Sequence, residues 1–445
     1  MFHLSVTQTI HLLICHPHDP ALLAVRIARD TWWPSCTTTR NVRLAQLVSR
    51  YLHACAIDGC VRFLAIHAYR PATQVLHWLV VVDADQEDVA PFGWQPVAVL
   101  RQTATSEAGD GAILDQFCEM TSPGHDGGTY THRGWMARAK LWIADVHVPL
   151  RVARLRVQPF EALAMRTMFA SGFAVVPPAV FFKGDDGRPY LEPRINRWLR
   201  GIWPEAFAET LACDTARGWW LTAAAAGRPL EGRDLVRAAV GVARIQQATV
   251  AADDGGLLIR RDPVGLATLP GAVARCIDDL SVDVDAAGDG RSAQIASRFE
   301  QVCQRLMALD LPLVWVHEDL TPGNVLCGEE SLVFLDVGCS HRGIPPVAIV
   351  PLVELADSER ARQSILDAYV DAWPRSQQAA VRIAAQYAPA VRLALQLQRH
   401  RELYEPDAKR SGMSHLLGRG LAYGLRHLAA VVARLDARSE GSLDD

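Results

Sequence analysis

The chain has 445 residues, half of them hydrophobic and 21% charged, with a formal net charge of -4. That length suits two or three domains with a sizeable buried core. The nearly balanced charge, with no Lys/Arg-rich block, offers no basic field for nucleic acid. The apolar stretch Ile10 to Cys15 lacks a basic lead-in and a small-residue cleavage site, so it reads as a strand and not as a signal peptide. No apolar run approaches the roughly 20 residues of a membrane span. Among the ten cysteines only Cys55 and Cys60 lie close together, and without a second pair they make no zinc pattern. They read as reduced thiols of a cytoplasmic protein.

The first 128 or so residues outline a small α+β domain. Ile10 to Cys15 and Leu22 to Ile27 pattern as a hairpin across His16-Pro17-His18-Asp19-Pro20. A helix follows from about Val42 to Ala54, then strands near Val61 to Ile66, Val75 to Val82 and Val97 to Leu100, and a short helix from about Ile113 to Met120. His16 and His18 flank a proline in the turn, but the sequence supplies no further ligands for a metal there. Ser122 to Tyr130, rich in Gly, Ser and Thr, reads as a linker.

Only three of the 45 basic side chains are lysines: Lys140, Lys183 and Lys409. Where a positive charge alone is needed, the chain uses arginine, so a remaining lysine marks a candidate place for a compact ammonium. Lys183 lies on the second strand of a hairpin, Phe173 to Val176 and Val180 to Gly184, joined by Pro177-Pro178. That is where a kinase places the lysine that grips the α- and β-phosphates; the competing reading is a lysine whose stem snorkels from a strand edge. Glu192 precedes Pro193, which opens a helix through about Trp198. Two readings of Glu192 stand: a partner that holds the Lys183 ammonium, or a first-turn acid favoured by the helix dipole.

Ile295, Phe299, Val302, Leu306 and Leu309 recur at helical spacing, predicting a helix of about four turns. It feeds a short strand at Val314 to Val316, a loop from Glu318 to Gly323, and a hairpin formed by Val325-Leu326 and Leu332 to Leu335. Asp319, Asn324 and Asp336 would then converge at one end of a small β element. Phosphoryl transfer from ATP needs a carboxylate to orient an attacking hydroxyl, and an amide and a second carboxylate to hold magnesium. The segment supplies them in that order, and looks like a kinase catalytic and metal-binding loop. The alternative is coincidence, to which short motifs are prone; the surrounding order of helix, strand, loop and hairpin weighs against it.

From about Gly134 onward these stretches together resemble the aminoglycoside phosphotransferase-like family of small-molecule kinases. They are Arg133 to Ile143 as an opening helix, Val180 to Gly184, Glu192-Pro193, Arg217 to Leu221 with Gly227-Arg228-Pro229-Leu230 after it, His317 to Asn324, and Leu335-Asp336. The resemblance implies an α+β, two-lobed protein-kinase-like fold, with an antiparallel N-lobe sheet and a mostly helical C-lobe, preceded by the small α+β domain. On this basis residues 129–226 form the N-lobe and hinge, 227–437 the C-lobe, and the acidic 438–445 a disordered tail.

The resemblance also implies ATP and Mg2+ as cofactors. Asp319 would be the catalytic base with His317 bracing its loop, Asn324 and Asp336 the metal ligands, and Lys183, supported by Glu192, the phosphate contact. No glycine-rich loop precedes the lysine strand, and Ser171-Gly172 is the only turn available, with Ser171 the candidate phosphate contact. The hinge would lie near Thr222 to Ala226. Glu318 and Thr321 depart from the family pattern, and Glu318 would repel a triphosphate or favour a cationic acceptor. Residues 1–128 resemble a Nudix domain, but no glutamate precedes Glu87, so the hydrolase site would be lost and a recognition or packing role remains.

Beyond Asp336 the sequence predicts helices at about Glu359 to Trp373, Gln377 to Tyr387, Ala390 to Tyr404 and Ser414 to Leu435. Arg362, Arg392, Arg399, Glu402 and Asp407 are candidate acceptor contacts, or equally parts of solvated helix faces. The reaction expected is transfer of the γ-phosphate to a hydroxyl of a small molecule, an antibiotic or a metabolite. The competing expectations are a catalytically idle kinase-like binding protein and, ranked last for want of an activation segment, a protein kinase.

Overall fold

A computed structural model describes residues 7–440 apart from single or paired positions at 18, 20, 58, 71–72, 74, 85 and 91 and the stretches 27–34, 39–43, 104–109, 123–134, 147–156, 162–170, 176–179, 185–190, 259–264, 285–290 and 411–413. By internal contacts the chain divides into two compact units. One comprises residues 1–190, 210–224 and 403–415, and the other residues 191–209, 225–402 and 416–445.

The first unit opens with strands β1 (Thr7–Cys15), β2 (Leu22–Arg26) and β3 (Ser35–Thr38), helix α1 (Leu44–Ala54), strands β4 (Gly59–Arg70), β5 (Val75–Ala84) and β6 (Phe92–Pro96), and helices α2 (Val97–Thr103) and α3 (Asp110–Thr121). They form a six-stranded sheet in the order β4-β5-β1-β2-β6, with β3 on β1. The expected hairpin is present, pairing Ile14 with Ala24 and Cys15 with Leu23, whereas β1 and β5 run parallel. The strand expected at Val97 to Leu100 is helix α2 instead; the ladder with β2 is made by Phe92 to Pro96. Pro96 has no N–H to continue a ladder. Beyond it Val97 and Leu100 are buried while Val99 is 44% exposed, a three-residue period that only a helix produces. The expected linker at 122–130 lies almost wholly outside the described residues.

Helix α4 (Trp135–Val146) and strands β7 (Val157–Glu161), β8 (Ser171–Val175) and β9 (Val180–Gly184) follow. After α5 (Glu192–Ile202) come β10 (Thr210–Asp214) and β11 (Trp219–Ala223), completing an antiparallel five-stranded sheet ordered β10-β11-β9-β8-β7. Along β9 burial alternates, with Val180, Phe182 and Gly184 inward and Phe181 and Lys183 half-buried on the opposite face, as a pleated strand requires. Phe182 meets Trp135, Trp142 and Trp219 with ring centroids 5.7–6.0 Å apart and edge-on, the geometry aromatic quadrupoles favour.

This aromatic cluster is not confined to the second sheet. One continuous core contains Leu13, Cys15, Leu79 and Val81 of the first sheet, Ile113, Leu114 and Phe117 of α3, Trp135, Ala139 and Ile143 of α4, and Val180, Phe182, Trp219 and Leu221 of the second. Residues on both sides of position 128 therefore bury the same apolar surface. The opposite face of the first sheet has its own core with α1, built around Ile10, Leu12, Val48, Leu52, Val80 and Val82.

The second unit is mostly helical. After α5 come the two-residue strand β12 (Arg228–Pro229), α6 (Leu235–Val250), α7 (Leu269–Val284), α8 (Arg291–Met307), β13 (Val314–His317), β14 (Val325–Cys327), β15 (Leu332–Phe334) and β16 (Ser340–Gly343). Helices α9 (Val350–Glu354), α10 (Glu359–Asp371) and the greater parts of α11 (Arg375–Arg410) and α12 (Ser414–Glu440) complete it. Phe299, Val302 and Leu306 of α8 are buried as their spacing predicts. An antiparallel sheet carrying the lysine strand and a helical part carrying the Asp319 loop are the two lobes of a protein-kinase-like fold.

Two expectations fail in this unit. The helices expected to break near Pro389 are one, α11. Proline removes an intrahelical hydrogen bond and costs about 3 kcal/mol in a helix interior, but Ala384, Ala388, Ala390, Val391 and Ala394 are buried on both sides of it, and that packing carries the helix through. The tail expected from residue 438 begins inside α12, which runs to Glu440; residues 441–445 lie outside the described set.

Gly184 joins the lysine strand to the shared core by close approach. A Cβ at this position would lie 2.5 Å from Cζ2 of Trp135 and 3.1 Å from its Cη2, and the Trp135 ring is buried among Phe182, Trp219 and the rest of the shared core. Gly184→Ala should therefore destabilise the protein by about 1–3 kcal/mol through overpacking. Urea unfolding of the two proteins measures the difference directly.

Candidate functional site

The site is built on β13, whose four residues are all buried. Gln246 of α6, itself fully buried, donates through Nε2 to the carbonyls of Trp315 (3.0 Å) and Pro345 (2.9 Å) and accepts from the Tyr369 hydroxyl (2.6 Å). One turn on, the Thr249 hydroxyl accepts from the Trp315 amide (3.2 Å). The Trp315 indole donates to Ser340 on the paired strand β16 (2.8 Å). These buried polar groups are mutually satisfied, so they fix the strand without a desolvation penalty left over. Sequence reasoning missed Gln246 and Thr249. The signal was there, since they sit at helical spacing on the apolar stripe of Ala239, Val242 and Ala243, where a polar residue is unusual.

His317 ends the strand, with no exposed surface. Its Nε2–H donates to the carbonyl of Leu335 (2.8 Å), and its Nδ1 accepts the amide N–H of Asp319 (3.2 Å). That pattern defines a neutral ring, and burial accordingly holds the imidazole below its ordinary pKa, against the opposing pull of the Leu335 carbonyl and nearby carboxylates. His317 braces the loop and presents no surface to a substrate.

Asp319 is only half-buried. The Asn324 side-chain amide donates to both the Asp319 carbonyl oxygen and its Oδ2, each at 2.9 Å. With its N–H groups spent there, the Asn324 side chain has its carbonyl Oδ1, an acceptor able to hold a cation, left over. Asp336 is exposed and adopts a left-handed backbone, φ 55° and ψ 45°. Few non-glycine residues do so, and such strain of about 1 kcal/mol persists where the surroundings enforce it, often at functional sites. The next residue but one is Gly338, where a Cβ would lie 3.0 Å from Oε2 of the buried Glu192. Glu192 thus packs against the turn that carries Asp336, a neighbour the sequence did not reveal.

The two ends of hairpin β14/β15 are tied together: the Leu335 amide donates to the Asn324 carbonyl (2.8 Å). The segment leading from residue 226 is stapled to it. The Leu230 amide reaches the Val325 carbonyl (3.0 Å), β12 pairs with β14, and Arg228 grips Asp234 with two bonds of 2.7 and 3.0 Å. Gly227, at φ +133°, lies where a Cβ would be 3.1 Å from the Cys327 backbone.

Other expectations fare differently. Glu318 does not face a substrate: its carboxylate is 5% exposed, 2.7 Å from Nδ1 of His341 and 2.6 Å from Nη1 of Arg399. Burial pushes its pKa up, but the charges of His341, Arg399 and Arg392 outweigh burial and hold it below the usual carboxylate range. Arg399 is thereby engaged inside the protein. Arg392 pairs with Glu354 (2.8 Å) and Arg362 with Glu359 (3.2 Å), so none of these three is an uncommitted acceptor contact. Ser171 is not in a turn but starts β8, opposite Gly184. Lys183 lies in the other compact unit, half-buried and paired in register with Trp220, its Nζ 6.0 Å from that ring's centroid.

The chain compares with known proteins as follows. The profile of the phosphotransferase enzyme family, APH, matches residues 146–380. No curated protein matches the chain. Among solved structures it is similar to an ethanolamine kinase from Plasmodium vivax, with 11% identity, TM-score 0.47, and coverage of 67% of this chain and 89% of that one. It is similar to a choline/ethanolamine kinase family protein from Mesorhizobium loti, with 16% identity, TM-score 0.45, and coverage of 67% and 98%. It is also similar to the aminoglycoside phosphotransferase APH(2")-IIa in a ternary complex with streptomycin and ATP, with 11% identity, TM-score 0.43, and coverage of 66% and 98%. Among the described residues no group of three or more His, Cys, Asp or Glu side chains is arranged to hold a metal, and no helix is long and apolar enough to cross a membrane.

The neutral His317 makes a pH prediction with a definite sign. Its folded pKa lies below the ordinary 6.5, so on acidification the unfolded chain takes up this proton first. The stability it contributes is fully present above about pH 6.5 and is lost as pH falls through the folded pKa, with a slope of up to about 1.4 kcal/mol per pH unit. His317→Asn should lower stability at pH 7.5 and flatten its dependence between pH 7 and pH 5. Denaturant midpoints of both proteins across that range provide the check.

Proposed function

Because the chain belongs to the phosphotransferase enzyme family, whose profile spans more than half of its 445 residues, we propose that it is an ATP- and magnesium-dependent kinase acting on a hydroxyl of a small molecule, an antibiotic or a metabolite. The observation that carries this reading is the Asp319–Asn324 pair. The Asn324 amide holds Asp319 at two points, its main-chain carbonyl and its carboxylate Oδ2, which leaves Asp319 Oδ1 to receive a hydroxyl proton and Asn324 Oδ1 to meet a cation. Lysine 183, aspartates 319 and 336 and Asn324 all stand in the chain, which favours an active enzyme over a catalytically idle relative.

In this mechanism Asp319 orients the acceptor hydroxyl towards the γ-phosphate and accepts its proton as the new oxygen–phosphorus bond forms and the bond from the γ-phosphorus to the bridging oxygen breaks, releasing ADP. His317 keeps the base in place, its neutral ring bonded to the loop on both sides. Asn324 and the exposed Asp336 offer an amide oxygen and a carboxylate, a hard oxygen donor set suited to magnesium, which characteristically takes one or two protein ligands and completes its shell with phosphates and water. Bound there, magnesium would neutralise charge on the β- and γ-phosphates. Lys183 serves as the α/β-phosphate contact, with Glu192 and Ser171 as accessory groups. We read residues 1–128 as a Nudix-like segment without hydrolase chemistry whose work is packing, a reading supported by the core it shares with α4 and the lysine strand.

Incubating the protein with MgATP and a panel of hydroxylated metabolites and antibiotics, and following ATP consumption, tests the reading. Asp319→Asn should reduce turnover on the acceptor so found by about 10²–10⁴-fold while MgATP affinity, measured by calorimetry, stays near that of the wild type. A variant turning over at the wild-type rate would remove Asp319 from the role of base.

Metal holding is tested separately. A ligand that binds the native state raises the melting temperature, so MgATP should raise it further than ATP with EDTA does. Asp336→Ala should erase that magnesium-dependent increment while retaining a response to ATP alone; an undiminished increment would move the metal away from Asp336.

A further inference from the structure

Glu318 stands between the brace and the base, and its surroundings are those of a clamp. The carboxylate is 5% exposed; one oxygen lies 2.7 Å from His341 of β16 and the other 2.6 Å from Arg399 of α11, with those side chains 4% and 23% exposed. Strand β16 is already registered on β13, with Val316 opposite His341 and His317 opposite Ser340. Helix α11 is tied down a second time, through Arg392 and Glu354 of α9. The loop is therefore held from one side by a neighbouring strand and from another by the long helix, and both holds pass through the single side chain adjoining Asp319.

Sealing a carboxylate away from water is unfavourable unless partners compensate it, and a well-packed apolar residue often gives equal or better stability at such a place. What the ion pairs add is a fixed direction. The two close charged contacts restrict the Glu318 side chain, and Asp319 is the next residue along the chain. An error of about 1 Å in such a group can cost on the order of 100-fold in rate.

We propose that Glu318 is a positioning residue: clamped by Arg399 and His341, it sets the orientation of the loop that bears Asp319 and couples that loop to helix α11. The proposal rests on the reading of Asp319 as the base of a phosphotransferase, so its test has one arm that needs no catalysis.

In that arm, hydrogen–deuterium exchange is measured on the full chain as wild type, Glu318→Gln, Arg399→Met and the double variant. Peptides covering residues 317–326 should exchange about 10-fold faster in both single variants, while peptides from α6 and α10 stay at wild-type rates, as expected for a local rather than a global opening. The double variant should be no worse than the worse single one, because the two changes break one interaction.

In the second arm, kcat on the acceptor found by the ATP-consumption screen should fall about 10- to 100-fold in Glu318→Gln, while KM for MgATP changes by less than about twofold, as loss of an interaction that serves the transition state predicts. Unchanged exchange at 317–326, a rise in exchange spread over the whole protein, or a full kcat in folded Glu318→Gln would each overturn the proposal. A wild type that consumes no ATP with any acceptor would overturn the kinase reading instead, and the exchange arm would still decide whether Glu318 holds the loop.

Discussion

The His317 ring joins two chain segments 18 residues apart, and the rest of the site takes its geometry from that bridge. One nitrogen fixes the amide of Asp319, and the other fixes the carbonyl of Leu335, the residue before Asp336. Leu335 is held at its other end as well, its amide on the carbonyl of Asn324. A single imidazole and a single leucine backbone thus set Asp319, Asn324 and Asp336 in a common frame. The frame also explains how Asp336 keeps a left-handed backbone, because the residue ahead of it is bonded on both sides and cannot relax to relieve it. A protonated ring could not accept the Asp319 amide, so the burial that keeps His317 neutral is part of the same device.

The bridge holds only if β13 is immobile, and that immobility comes from polar groups buried in an otherwise apolar core. Gln246 makes three hydrogen bonds, to two carbonyls and a phenol, from a fully buried position. Each such bond contributes about 1 kcal/mol net, whereas an unpaired buried amide would cost about 1–3 kcal/mol. The larger effect is therefore selection of one register, since any slip of β13 leaves several of these groups unpaired at once. The packed rings of Phe207, Trp315 and Phe334, with centroids 5.7–6.1 Å apart, add shape to the same constraint.

What the sequence disclosed follows from the range of the interactions involved. The hairpins β8/β9 and β14/β15, helix α8 and the start of α5 are set by local periodicity and by prolines, and they lie where the residues alone placed them. The misplaced elements depend on distant partners. Val97 to Leu100 read as a strand from their apolar run, and the core against which Val97 and Leu100 are buried makes them a helix. Helix α11 passes through Pro389 because alanines on both flanks are buried by packing that no local pattern announces. Glu318 was legible as an unusual residue but not as a buried one, since its partners lie 23 and 81 positions later. The hydrogen-bonded cluster of His317, Asp319 and Asn324 was more legible than the fold of the first sheet, because its groups lie close in sequence while those of a mixed sheet with a parallel pair do not.

The scarcity of lysine also acquires a structural meaning. Arg342 reaches Asp254 and the carbonyls of Leu313 and Ala252 with three different nitrogens. Arg237 caps the carbonyls of Gly328 and Glu329, Arg200 those of Pro204 and Phe207, and Arg228 forks onto Asp234. These are places where several acceptors diverge from one point, and a planar guanidinium meets them with donors already in position while an ammonium cannot. At these four positions arginine is a bracket that ties separate chain segments together. Lys183 is the contrasting case. It stands on a strand beside the Trp220 ring, its Nζ 6.0 Å from the ring centroid, and the group it presents is a compact charge on a flexible stem. At each of these arginines the residue type follows the shape of what is bound there, several acceptors that diverge from one point.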